Sequence, residues 1–385
     1  MIKILHTGDL HLDSPLSSLD FSAAEAAREE HRRIFEKMMR YAINETLDMI
    51  LISGDLFDGK YITPRTKELV IGLFSEFKRP VVISPGNHDP YSVVSLYRDG
   101  SLPDNVYVFS SEEVQRFDFD ELGVSVFGYA FVTPSLEYSP LVRFLDKSSF
   151  TNNTKILCAH ADVTSPISKY APITVSDIEK YDFSYAALGH IHNPPSVSSE
   201  NTLINYCGFL YGRSFDELGE GGAYLVTLDE GKAVAEHVIF SEHRFLREEL
   251  DVSGAENNAE ISKKISQFIN DRGYTKETSL RLSLIGKVSI DLVINNKNIE
   301  KEFSNLFELE IRDLTTPIPD NEYLMYDLSL RGEFYRTLLP KLTSDDIEER
   351  KCAAEALWLG LCAIEGTNIS SMVELSDDKI SGGAE

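Results

Sequence analysis

Short apolar runs, each stopped by a polar or glycine-bearing cluster, recur through the first half of the chain. Residues 2–7 (Ile-Lys-Ile-Leu-His-Thr), 48–53, 80–84, 106–109, 124–128, 155–159 and 185–188 read as strands. Residues 22–46, begun at Ser22 and turning Ile34, Met38 and Ala42 inward, read as a helix, and so does 63–78. Strand, helix, strand, helix, strand over residues 2–84 is the rhythm of a parallel sheet with right-handed crossovers. An acidic turn is expected at 118–121, and 203–206 and 223–228 complete a second sheet layer.

After about residue 240 the pattern changes. Residues 244–252, 279–285 and 308–313 suggest strands, and 257–271 and 298–306 suggest helices, which together make a small α+β domain. Thr316 to Asp320, with two prolines, reads as a linker. Helices follow at 332–340 and 344–364, the second with Ala353, Ala356, Leu357, Leu361 and Ile364 on one face. The boundaries expected are 1–240, 241–316, 317–370 and a disordered tail at 371–385.

What stops the apolar runs is chemically selective. The first ends at Gly8, followed by Asp9 and His11, which leave an extended backbone on the same side. The second ends in Gly54-Asp55 and the third in Gly86-Asn87-His88-Asp89. The later ones end at His160 and at Gly189-His190-Ile191-His192. Each cluster alone could be a capped turn. Their repetition at successive strand ends, where open α/β sheets hold their sites, points to one shared centre.

Composition narrows the setting. The chain has 385 residues, 42% hydrophobic and 26% charged, which suits a globular protein of two or three units. No run approaches a membrane span, the N-terminus shows no signal peptide, and the four cysteines have no framework spacing. A cytoplasmic protein with reduced thiols is expected. The net charge of −25 argues against broad, autonomous nucleic-acid binding. Arg28, Arg32, Lys37 and Arg40 on the first helix read either as a solvated face or as a DNA-facing patch.

Asp9, His11, Asp55, Asn87, His160, His190 and His192 are hard or borderline O and N donors, suited to Mn²⁺, Fe²⁺ or Zn²⁺. They are too many for one ion and enough for two that share a carboxylate. Two ions roughly 3.5–4 Å apart can clamp a phosphate and hold a bridging hydroxide in line with the leaving oxygen. That oxygen needs a proton, which a histidine beside the metals can supply.

The ordered set Asp9-x-His11, Gly54-Asp55, Gly86-Asn87-His88-Asp89, His160 and Gly189-His190-x-His192 resembles the calcineurin-like metallophosphoesterase superfamily. The resemblance implies a four-layer α/β/β/α sandwich. It also implies one metal on Asp9, His11, Asp55 and His192, a second on Asp55, Asn87, His160 and His190, and His88 as general acid. Asp89 would orient the turn without touching metal. The arginine of the protein-phosphatase GDxxDRG arrangement is missing from Gly54-Asp55-Leu56-Phe57-Asp58-Gly59-Lys60. The opening Asp9-Leu10-His11-Leu12-Asp13-Ser14-Pro15 and the segment Gly212-Arg213-Ser214-Phe215-Asp216-Glu217-Leu218-Gly219 are instead similar to a bacterial subgroup of SbcD-type DNA repair exonucleases. Some relatives carry a second catalytic histidine where this chain has Asp58, which is therefore left unassigned.

The resemblance implies a Mn²⁺-dependent 3′–5′ exonuclease acting on DNA ends, with single-strand endonuclease activity allowed. The appended domain would help to recognise DNA, and the C-terminal helices would dock on an SbcC-type coiled-coil ATPase. A homodimer is allowed, and no membrane is involved. Arg213 either touches a substrate phosphate or forms a structural salt bridge. Two other readings stand beside this one: a phosphoesterase acting on nucleotides or another small phosphodiester, and a non-enzymatic scaffold of a repair complex.

Overall fold

The computed structural model describes residues 1–17, 21–59, 62–143, 154–289, 292–318 and 321–366; the tail expected at 371–385 lies outside them. The chain divides into two compact units, Met1–Phe245 and Leu246 onward.

The first unit runs β1 (Ile2–Thr7), α1 (Phe21–Asn44), β2 (Met49–Ile52), α2 (Pro64–Phe77), β3 (Val81–Ile83), β4 (Val106–Val108), β5 (Gln115–Phe119) and β6 (Val124–Gly128). It continues with α3 (Pro140–Arg143), β7 (Thr154–His160), α4 (Val175–Glu179), β8 (Tyr185–Gly189), β9 (Leu203–Tyr206), β10 (Gly219–Asp229) and most of β11 (Lys232–Asp251). In one sheet β1 to β4 are parallel and neighbours in sequence order, and β10 closes on β1 antiparallel. The other sheet has the order β5-β6-β7-β8-β9, parallel from β6 on.

Alternation along the strands sorts side chains into layers. Leu5, Ile50, Ile52, Val81 and Ile83 face Phe35, Met38 and Phe74 of α1 and α2. Ile4, Met49, Leu51 and Val82 face the other way, against Val126, Ile156, Tyr185 and Ala187 of the second sheet. The far side of that sheet, with Phe127, Leu157, Ala186 and Leu188, packs on Leu141 and Ile178 of α3 and α4. This is the α/β/β/α sandwich.

The second unit holds the end of β11, α5 (Asn258–Arg272), β12 (Thr278–Ile285), β13 (Lys287–Ser289), α6 (Asn296–Glu300), β14 (Glu308–Asp313), β15 (Thr316–Ile318), α7 (Asn321–Tyr326), α8 (Leu330–Leu342) and α9 (Ile347–Glu365). Its core sets Ile261, Ile265 and Ile269 of α5 against Leu280, Leu282 and Leu284 of β12.

Three local expectations change. The supposed linker is in part β15, paired in parallel with β13, where Pro317 costs one donor on a two-stranded edge. The acidic turn begins later, because Asp118 lies within β5 and accepts from Ser125 Oγ of β6 at 2.6 Å. The helix expected at 298–306 is only α6, capped by the Asn295 side chain. No helix among the described residues is long and apolar enough to cross a membrane.

Candidate metal centre

Every loop that carries a candidate ligand leaves the C-terminal end of a strand in the first unit, and the loops after β1 and β2 go on pairing once the strands stop. Asp9 N donates to Gly54 O at 3.0 Å, His11 N to Asp55 O at 2.9 Å and Leu12 N to Leu56 O at 3.0 Å. The backbone here is not extended as expected. Asp9 and His11 have φ of 46°, Asp55 of 50° and His190 of 102°. Left-handed conformations in non-glycine residues cost on the order of 1–3 kcal/mol each and gather at functional sites. Asp13 anchors the first loop: its carboxylate meets Arg32 Nη1 of α1 at 3.1 Å and accepts from Thr66 Oγ1 of α2 at 2.8 Å.

Two glycines allow the loops to close. A Cβ on Gly54, where φ is +98°, would lie 2.3 Å from His160 Nδ1; one on Gly86 would lie 2.1 Å from Asp55 Oδ1 and 2.7 Å from Asp55 N.

The donors converge. His11 Nε2 lies 3.2 Å from His192 Nε2 and 3.7 Å from Asp55 Oδ2. His160 Nε2 lies 2.8 Å from Asn87 Oδ1 and 3.4 Å from Asp55 Oδ2, and Asp9 Oδ1 is 3.7 Å from His160 and 3.9 Å from His192. His190 donates its backbone N–H to the Asp9 carboxylate, and its ring lies 5.1 Å from that of His160. Among the described residues, Asp9, His11 and His192 form one group close enough to hold an ion. Asp9, Asp55 and His160 form another, and His11, Asp58 and His88 a third; His190 belongs to none.

Tautomers decide what these contacts mean. His160 Nδ1 faces the Ser53 carbonyl at 3.0 Å and must donate to it, so in the neutral ring Nε2 is a bare lone pair. That lone pair points at two further acceptors, Asn87 Oδ1 and Asp55 Oδ2. In the same way His192 Nδ1 donates to Glu217 Oε1 at 2.8 Å, which turns its Nε2 toward His11 and Asp9. Buried His11 Nδ1 has no hydrogen-bond partner. Acceptors facing acceptors in a buried pocket repel unless a cation lies between them. A carboxylate or carbonyl behind the ring, as His192 and His160 have, is the usual support of a metal-binding histidine. The residues therefore fit divalent metal.

Asp89 is buried and ties two loops together: it accepts from Asp55 N at 3.2 Å, Phe57 N at 3.2 Å, Gly86 N at 2.9 Å and the Tyr97 hydroxyl. His88 lies at the edge of the centre, half-exposed, its ring 4.8 Å from that of His11 and its Nδ1 2.8 Å from Asp58 Oδ1. That hydrogen bond raises the His88 pKa, against the opposing effect of burial. Arg213 lies with Nε 3.0 Å from Glu217 Oε1 and Nη1 3.5 Å from Asp58 Oδ2. Burial alone would raise the Glu217 pKa, but hydrogen bonds from His192 and Arg213 hold it at about 2. Glu217, Arg213, Asp58 and His88 thus stand in a row of alternating charge, with His192 hydrogen-bonded at its Glu217 end. Glu217 and the partnership of Asp58 were missed from sequence, where the only trace is an acid four residues after Arg213.

The basic residues of α1 are all engaged. Arg32 is buried among Asp13, Glu25 and Glu29; Arg28 pairs with Glu25, Lys37 with Glu242 and the Phe240 carbonyl, and Arg40 with Glu36 and Glu76.

A family profile described as calcineurin-like phosphoesterase matches residues 2–194. The uncharacterized metallophosphoesterase YhaO of Bacillus subtilis is 27% identical over 74% of this chain and 72% of its own length. The SbcD subunit of the SbcCD nuclease of Staphylococcus epidermidis is 25% identical over 58% of the chain and 65% of its own length. The DNA double-strand break repair protein Mre11 of Aeropyrum pernix is 29% identical over 66% of the chain. The match to Mre11 spans 64% of that protein, so with both DNA-related relatives it falls just short of two thirds of their length. With half its length under that profile and its strand ends carrying this donor set, the chain belongs to the calcineurin-like phosphoesterase family.

Proposed function

We propose that the protein is a two-metal phosphodiesterase acting on DNA ends, a Mn²⁺-dependent 3′–5′ exonuclease of DNA repair with single-strand endonuclease activity allowed. The observation that carries the hydrolase reading is the pair of histidines, His160 and His192, whose Nδ1 protons are committed to Ser53 O and Glu217 while their Nε2 lone pairs face Asp55 and Asp9. Asp9, His11, Asp55 and His192 would hold one ion, and Asp55, Asn87, His160 and His190 the other. When bound, the two ions supply Lewis acidity at the phosphate and a nucleophile from water at neutral pH. His88, its Nδ1 held by Asp58, keeps a proton on Nε2 for the leaving oxygen. Asp89 fixes the turn that presents Asn87 and His88. Arg213, spent on Glu217 and Asp58, serves as a brace rather than as a phosphate contact.

DNA as substrate is supported by the two relatives named for a nuclease and for double-strand break repair. In this reading the protein is cytoplasmic, residues 241–316 help to recognise DNA, and the helices after 317 dock on an SbcC-type coiled-coil ATPase. Tyr326 and Leu328, 80% and 97% exposed, suit such docking. A homodimer stays allowed.

The second reading is hydrolysis of nucleotides or another small phosphodiester. The charge of −25 and the internal pairing of the α1 cations favour it. The deciding assay offers the purified protein Mn²⁺ with linear duplex, single-stranded DNA and a panel of mononucleotides, with and without the ATPase. Shortening of DNA from 3′ ends is expected; nucleotide turnover with intact DNA under both conditions overturns the nuclease reading.

A further inference from the structure

Beside His88 the surface folds into a small open cleft, between the loop after β2 and the loop after β3. Phe57, Ile62, Pro90, Val94 and Leu96 are among its lining residues, and so is His88, whose ring lies 4.8 Å from that of His11. Val93 and Val94, 80% and 62% exposed, lie next to each other in the rim loop. Exposed apolar surface at the mouth of a cleft marks a ligand groove more often than chance exposure.

The lining is as informative for its charges. Among the described residues that line the cleft there is no lysine or arginine. The one carboxylate, Asp89, is consumed by three backbone N–H groups and the Tyr97 hydroxyl. The described lining, mainly apolar, suits the face of a flat, apolar body.

Its position relative to the chemistry says which body. The general acid protonates the leaving oxygen, so whatever that oxygen carries must lie on the side of His88. In 3′–5′ removal of a nucleotide the phosphorus–O3′ bond breaks, a bond forms from phosphorus to the oxygen of water, and the proton of His88 goes to O3′. The group on O3′ is the nucleoside that stays in the strand. We infer that the cleft beside His88 is a subsite for the base of that leaving nucleoside, held by apolar contact with Val94, Pro90 and Ile62 rather than by hydrogen-bond readout. The inference rests on the function proposed above and adds that substrates are selected for a base on the leaving side, with tolerance for which base it is.

The test compares two oligonucleotides that differ only at the penultimate 3′ nucleotide, a normal base in one and an abasic tetrahydrofuran in the other. Wild-type protein with Mn²⁺ should cleave the base-bearing one with kcat/KM at least tenfold higher. Val94→Asp, a change on an exposed side chain away from the metal donors, should abolish that ratio while metal content and the abasic rate stay the same. Equal kcat/KM on both oligonucleotides overturns the subsite and leaves the nuclease reading standing, as does a Val94→Asp loss that is equal on both. If neither oligonucleotide is cleaved while mononucleotides are, the nuclease reading falls and the subsite with it.

Discussion

His88 and Asp58, on loops from neighbouring strands, meet with Nδ1 2.8 Å from Oδ1, and the contact fixes which ring nitrogen of His88 faces outward. Removing the ring and removing its partner should therefore have related effects. His88→Ala should lower kcat by ~10²–10⁴-fold, the usual worth of a general acid, with both metals still bound. Asp58→Asn should fall in the same direction by a smaller factor. Turnover measured beside metal analysis checks both; metal loss in His88→Ala, or an unchanged rate in Asp58→Asn, contradicts the assignment.

Glu217 makes no contact with substrate in this scheme, yet it sets the tautomer of His192. Glu217→Gln should weaken metal affinity by roughly 10–100-fold, as supporting groups behind metal-binding histidines do. Asp55→Ala should lose metal altogether. Titration with Mn²⁺ separates these cases, and two ions still bound to Asp55→Ala would refute a shared carboxylate.

Glycine replacements test the closeness of the loops. Gly86→Ala puts a methyl against the backbone and carboxylate of Asp55, so metal binding should drop sharply while far-ultraviolet circular dichroism is kept. Gly72→Ala is the contrast: it lies in α2 with open space around its Cα and should gain about 0.5–1 kcal/mol of stability with metal binding unchanged. Equal metal affinity in the two variants would mean that the Gly86 contact relaxes at no cost.

Acid should destabilise the fold through histidines that are not in the centre. Burial lowers the pKa of His6, which bridges Tyr185 and Ser53, and of His31, which stacks on Tyr211, from 6.5 to about 3. Between those values the unfolded chain binds a proton that the folded chain does not, so stability rises with pH. The contribution is complete above pH 6.5 and is lost as pH falls toward 3. From pH 7 to 5 each histidine should cost about 2 kcal/mol. Denaturant unfolding should show His31→Phe losing that much less than wild type over the same interval; identical losses would mean that His31 protonates within the fold.

The sandwich was legible because parallel strands covered on both faces read as unbroken apolar runs, as in Met49–Ile52 and Val81–Ile83. The strand ends were legible for the same reason, since an aspartate or histidine after such a run is conspicuous. The left-handed turns at Asp9 and His11 were not, because two-residue spacing reads alike in extended and in kinked backbone. Glu217 and Arg213 sit on an irregular loop, where no period marks a side chain as inward. The 20-residue β11 was recognised only in its last part, since its alternation of charged and apolar residues reflects a partly solvated strand rather than a buried one.

The alternating row from Glu217 to His88 bears on how such a centre can change by substitution. In this protein a lone Asp58→His would remove the acid that lies between two cationic side chains, and Arg213 would then face the new imidazole across 3.5 Å or so of space once shared with a carboxylate. Positions 58 and 213 are thus coupled, because a change at 58 takes from Arg213 the carboxylate it faces.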